Sequence, residues 1–137
     1  MKAVIDTNII IDAFANREPF YIEAQKVLLK AALGDFEACI TSNTVTDIFY
    51  ILHKSFHNAT KVKSILENLF SSVSIISIDE TDCKNALSSK VTDYEDAILC
   101  ESSVRNKVDY IITRNISDFK NSQTRSILPS NFLKLIK

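Results

Sequence analysis

Short apolar runs that alternate with segments of helical spacing constrain this chain more than any other feature. Ala3-Val4-Ile5 is an apolar run of strand length, and it stops at a carboxylate, Asp6. From Thr7 the spacing is helical, with Ile9, Ile10, Ala13 and Phe14 on one side. Asn16-Arg17-Glu18-Pro19 breaks that pattern, and Pro19 suits the first turn of a second helix. This helix is expected to bury Ile22, Ala24, Val27, Leu28 and Ala31 and to end at Gly34, a C-terminal cap. Further strands are expected over residues 36–40, 73–78 and 108–112, with a short edge strand over 126–128. Thr41-Ser42-Asn43 offers capping side chains for a helix through Lys54. Helices over 60–70, 81–89 and 93–104 follow, the last turning Ala97, Ile98 and Val104 toward the core, and Pro129 opens a final one. Such alternation builds a parallel sheet covered by helices on both faces. No linker, repeat or low-complexity stretch interrupts it, so residues 1–137 read as a single α/β domain.

The same residues exclude several classes of function. Gly34 is the only glycine, where average usage of about 7% would supply roughly ten. A Walker loop or a dinucleotide-binding fingerprint needs several residues without Cβ near the phosphates, so neither is present. The net charge of −1 argues against holding nucleic acid by bulk electrostatics alone. Cys39, Cys83 and Cys100 are odd in number and far apart, which reads as free thiols in a reducing compartment. The apolar start is cut by Asp6, too early for a signal peptide, and no segment reaches membrane-spanning length. The expectation is a soluble, cytoplasmic protein.

The carboxylates are the chemistry. In open parallel sheets ligands bind beyond the carboxyl ends of the strands. Asp6 falls just past the first strand, Asp47 on the helix leaving the second, Asp96 on the helix before the fourth and Asp118 just past it. Each sits in or beside apolar sequence, where an isolated charge is costly. A site that gathers them needs protons, cationic partners or a hard metal ion. Each acid also has an ordinary reading. Asp6 before Thr7-Asn8 fits helix capping, Asp47 fits a solvated face, and Asp93 reads as the cap of the helix that carries Asp96. Glu95 reads as a surface charge.

The ordered set Ala-Val-Ile-Asp6-Thr7-Asn8, Thr41-Ser42 then Asp47, Asp93-Tyr-Glu-Asp96-Ala97-Ile98, and Thr113-Arg114-Asn115-Ile-Ser-Asp118-Phe119 resembles the PIN-domain ribonucleases, which include the VapC-type toxins. The resemblance spans essentially the whole chain. It implies a three-layer α/β/α sandwich around a mainly parallel sheet of four to five strands. It also implies endonucleolytic RNA cleavage with one or two Mg²⁺ or Mn²⁺ ions, giving 5′-phosphate and 3′-hydroxyl ends. Asp6 and Asp96 match the two most regular metal-binding acids. Asp47 stands where the family usually has Glu, a departure that shortens the side chain by one methylene. The fourth acid varies between members: some place Asp where this chain has Asn115, others pair Asn there with an acid where this chain has Asp118. Asp118 is thus the third candidate ligand, while Asn8, Thr113, Arg114 and Asn115 would orient water or phosphate. Asp47 or Asp118 would take or align a proton from water activated by the metal. The family further implies a homodimer and, for a toxin, a cognate antitoxin protein.

Charge and histidine placement complete the reading. Through Val104 there are 9 basic and 15 acidic residues, and from Arg105 onward 7 basic and 2 acidic. Arg105, Lys107, Arg114, Lys120 and Arg125 are therefore candidates for a rim meeting an RNA backbone, with Arg114 foremost. His53 and His57 share the i, i+4 spacing of a zinc pair, but no third ligand is placed and a packing role is preferred. Apolar spacing over 49–56 and 65–70 reads as core or as a dimer or antitoxin surface. Two rivals remain: a catalytically weak or inactive PIN-like module that binds RNA or protein, and a phosphotransfer receiver. The receiver lacks paired acids after the first strand and a lysine after the last.

Overall fold

The computed structural model describes residues 1–137. The strands β1 (Lys2–Ile5), β2 (Glu37–Thr41), β3 (Ser74–Ile76), β4 (Tyr110–Ile112) and β5 (Arg125–Ile127) form one sheet in the order β3-β2-β1-β4-β5. All four pairings are parallel. Between and after them run α1 (Thr7–Ala15), α2 (Tyr21–Ala32), α3 (Val45–Phe56), α4 (Ala59–Ser72), α5 (Glu80–Ala86), α6 (Tyr94–Arg105) and α7 (Pro129–Leu135).

The central strands β1, β2 and β4 read as apolar runs because they are buried on both faces, whereas the edge strands β3 and β5 stay partly open, with Ser74, Ile75 and Arg125 exposed. Successive side chains point to opposite sides of a sheet. Ala3, Ile5, Ala38, Ile40 and Ile112 join one core with α1, α2, α3, α4 and α7. Val4, Cys39, Ile76 and Ile111 join a second core with α5 and α6. This is the three-layer sandwich expected from the sequence. Its chain order reverses at β1: the path moves outward through β2 and β3, then returns to the other side of β1 as β4 and β5. Connections leaving β1 and β4 therefore diverge and open a crevice at their carboxyl ends.

Several local expectations are corrected. Pro19 lies in the turn before α2, which starts only at Tyr21. Ile22 is 52% exposed, because α2 turns Ala24, Val27 and Ala31 inward and Ile22 falls on the far side with Leu29 and Leu33. Val104 is 42% exposed in the last turn of α6, beside the tight turn through Asn106 and Lys107. Thr41-Ser42-Asn43 does not cap α3. Residues Ser42–Thr44 form a 3-10 turn, closed by the Thr44 hydroxyl donating to the Thr41 carbonyl at 2.8 Å. The Ser42 hydroxyl oxygen instead accepts the Ile78 N–H at 3.1 Å and fastens the chain leaving β3. Gly34 does follow the end of α2, with φ at 77°, and its N–H donates to the Ala31 carbonyl at 3.0 Å. His53 stacks on Phe49, with ring centroids 5.7 Å apart, and His57 ends α3 in the left-handed region. The pair packs and caps. All three cysteines are free, and burial pushes the thiols of Cys39 and Cys100 up to about 11, which keeps them protonated.

Candidate active site

The crevice is set by the register of β1 on β4. Ile5 pairs with Ile112, so the next residues, Asp6 and Thr113, meet where the strands end. The Asp6 N–H donates to the Ile112 carbonyl at 3.0 Å, extending the ladder by one bond. Asp6 stands just before α1, yet its carboxylate makes no cap bond to that helix. It accepts the Thr113 hydroxyl at 2.8 Å instead, and the Thr113 oxygen accepts the Asn115 N–H at 3.0 Å. Asp6 and Thr113 are both buried. A buried threonine between two polar partners exists here to hold a carboxylate in one orientation.

Three other elements add acids to this point. α6 begins at the crevice: Asp93 caps it by accepting the Asp96 N–H at 3.0 Å, as its sequence context suggested. Asp47 lies in the first turn of α3, after β2. Asp118 lies in a 3-10 turn over Ile116–Phe119, after β4. Electrostatics show that these groups feel one another. Burial first, then the charges of Asp93, Asp6, Asp118 and Glu95, push the Asp96 carboxyl up to about 7. Burial likewise raises Asp6, although the Thr113 hydroxyl, the Thr7 N–H and the Arg114 charge pull it back. No lysine, arginine or histidine forms an ion pair with Asp6, Asp47, Asp93, Glu95, Asp96 or Asp118; the salt bridges lie elsewhere. As the side chains stand, no three carboxyl groups close on a single point.

Glu95 is exposed, as a surface charge should be, yet it feels the same acids. The neighbouring Asp47 carboxyl first, then burial and the charges of Asp93 and Asp6, raise its pKa. Glu95 thus belongs to the acidic group. Its neighbour Asp47 is the acid one methylene short of the family's usual Glu. The signal in the sequence was its place in the first turn of α6, next to Asp96, an acid already assigned to the crevice.

The basic rim is also redistributed. Arg114 is committed to Asp12, with Nε 2.6 Å from Oδ2 and Nη2 3.2 Å from Oδ1, and its guanidinium lies 3.9 Å from the centroid of the Phe20 ring. Arg105 is held by Asp79 and Asp82. Lys107 precedes β4 and Arg125 begins β5, which puts both at the amino ends of parallel strands, opposite the acids. Of the five expected cations only Lys120 reaches the acidic cleft, where it is joined by Lys90, a residue from the acidic part of the sequence. The cleft measures about 620 Å³ and includes Asp93, Asp96, Ser117 and Asp118. A second basin of about 450 Å³, with Ser88, Ser89, Ser122 and Gln123, continues from it through the shared Lys90, Val91 and Asn121. The Asn121 amide donates to the Lys90 carbonyl at 3.3 Å and ties the two walls together. Asn8 is half-buried in the first turn of α1, two residues from Asp6.

Similarity to known proteins agrees with this geometry. No curated protein matches the sequence. Solved structures do match in fold. VapBC2 from Rickettsia felis bound to a DNA fragment from its promoter superposes with a TM-score of 0.68 at 19% identity, over 93% of this chain and 98% of that one. A toxin–antitoxin complex from Klebsiella pneumoniae gives 0.69 at 24% identity, covering 93% and 97%. FitAcB from Neisseria gonorrhoeae gives 0.67 at 18% identity, covering 93% and 98%. A family model described as PIN domain matches residues 2–117, a span that includes every acid but Asp118. The chain belongs to the PIN-domain family.

Proposed function

We propose that this PIN domain is a Mg²⁺- or Mn²⁺-dependent endoribonuclease and the toxin of a toxin–antitoxin pair, working in the cytoplasm. The observation that carries the reading is six carboxyl groups from four separate elements, gathered at the sheet's switch point with no ion pair to any of them. Asp6, Glu95 and Asp96 are held above the usual carboxylate range, a load that a bound cation relieves. All the donors are hard, anionic oxygens, the set that suits Mg²⁺ or Mn²⁺. Their spread fits an ion held by one or two carboxylates with water and phosphate completing the shell, the usual manner of Mg²⁺.

Asp6, Asp96 and Asp118 are the residues that would hold the metal. When bound, the ion supplies a water of lowered pKa and charge stabilisation for the phosphate. Thr113 fixes the Asp6 carboxylate, leaving the other oxygen of that group for the ion. The neighbouring Asp47 and Glu95 carboxylates, both at the start of their helices, serve as proton acceptor for the attacking water. Lys90 and Lys120 meet the phosphates of the incoming strand, and Asn8 and Asn115 orient water or phosphate by hydrogen bonds. A protein partner is supported by Ile22, Leu29 and Leu33 exposed on α2 and by Tyr50 and Phe70 exposed on α3 and α4. Both a cognate antitoxin and a second copy of the chain draw on such surface.

The test is cleavage of RNA by purified protein with and without Mg²⁺. Asp6→Asn should abolish cleavage while the protein still folds and melts cooperatively; undiminished cleavage by that variant removes the assignment. The rival reading, a weak or inactive binding module, takes its support from the short Asp47 and from the acids' failure to close on one point. It predicts no metal-dependent stabilisation and no cleavage in a Mg²⁺ titration of the wild-type protein.

A further inference from the structure

We infer that Asp12 is a positioning residue of this site: through Arg114 it fixes the turn that holds Thr113 and Asn115 against Asp6. The catalytic half of this inference rests on the proposed nuclease reading; the geometric half does not. Asp12 has no solvent exposure at all. A buried carboxylate in that position needs a cationic, hydrogen-bonded partner. Arg114, 102 residues away in sequence, supplies a two-point fork at 2.6 and 3.2 Å, and Arg17 stands at 4.0 Å. With the guanidinium edge on Asp12 and its face on Phe20, the Arg114 side chain has one position.

That position matters because of its neighbours in the chain. β4 ends at Ile112 and the 3-10 turn begins at Ile116, so residues 113–115 belong to neither element. Their attachments are few: the Thr113 N–H donates to the Ile127 carbonyl at 3.0 Å, Thr113 and Asn115 share one bond, and Arg114 reaches Asp12. Asp12 sits on α1, the helix that starts directly after Asp6. Asp6, α1, Asp12, Arg114 and Thr113 therefore close a circuit, with the Thr113–Asp6 bond as its final link. An apolar pair would stabilise the same space as well or better, so the ion pair points to orientation rather than to stability.

The experiment uses the full chain and three variants: Asp12→Asn, Arg114→Lys, which keeps the charge and loses the fork, and the apolar double replacement Asp12→Leu/Arg114→Leu. Amide exchange at Asn115, Mn²⁺ affinity, melting temperature, and kcat and KM on RNA are read for each. Each variant should lose protection at the Asn115 amide while the amides of α6 keep theirs. Metal affinity or kcat should fall by about 10- to 100-fold with KM unchanged, the range typical for groups that orient metal ligands. The double variant should recover the melting temperature without recovering Asn115 protection. Wild-type Asn115 protection in folded Asp12→Asn, or recovery of protection and kcat together with stability in the double variant, overturns the inference. Exchange and Mn²⁺ binding are measured without RNA, so a wild-type protein inert toward RNA sinks the nuclease reading while Asn115 still decides this one.

Discussion

Removing one charge from the acidic group should stabilise the metal-free protein, and the effect can be sized at Asp96. Its carboxyl is raised from the usual 3.8 to about 7 by burial and by four neighbouring acids. Forcing it to ionise in the folded state costs at most about 4 kcal/mol at 1.36 kcal/mol per pH unit. The group is partly exposed, so solvent screening reduces this to about 1–2 kcal/mol. The folded state holds this proton more tightly than the unfolded chain does. Stability is therefore complete below about pH 4 and is lost as pH rises through about 7. In EDTA the wild-type protein should lose about 1–2 kcal/mol across that window, or about 4–8 °C in melting temperature for a domain of this size. Asp96→Asn should flatten that part of the profile and be the more stable protein at pH 8. Millimolar Mg²⁺ should restore the wild type at pH 8 and do much less for the variant. Superimposable pH profiles for the two proteins in EDTA would refute the argument that these acids load the fold.

Other outcomes follow from single contacts. Thr113→Val removes the donor to Asp6 and the acceptor for Asn115 in a buried setting, which should cost about 1–3 kcal/mol in urea unfolding and weaken metal binding. Gly34→Ala meets nothing within 4 Å but must hold φ at 77°, so the loss should be about 1 kcal/mol from backbone strain alone. Lys90→Ala combined with Lys120→Ala should raise KM for RNA and flatten its dependence on salt, with little change in kcat; an unaltered salt slope removes the cleft from the substrate path.

The sequence announced the layers because period and chemistry agreed: the central strands are apolar on both faces, and helical spacing follows them. Asp6 was visible because it ends an apolar strand, and Asp96 because it stands in an ordered set of motifs along the chain. What escaped was whatever depended on direction. Glu95 is an exposed glutamate, and only the fold brings it near Asp47. Lys90 lies in the acidic part of the chain, and no charge count places it beside Lys120. Arg114 looked free because its partner, Asp12, is hidden in an apolar helix where Ile9, Ile10, Ile11 and Ala13 mask a single buried acid. The cations of β5 and of the turn before β4 were misjudged because composition carries no sense of which end of a strand a residue occupies.

The register of β1 on β4 has a consequence for the making of the protein. Asp6 is among the first residues synthesised, but the hydroxyl that orients it arrives 107 residues later. Asp118 follows later still, and the strand closing the sheet beyond β4 comes after that. A partial chain on the ribosome can form β1, β2, β3 and their helices without the Thr113 hydroxyl or Asp118 beside Asp6. The acidic centre is assembled last, so on the proposed nuclease reading a fragment that stops short of β4 is inert.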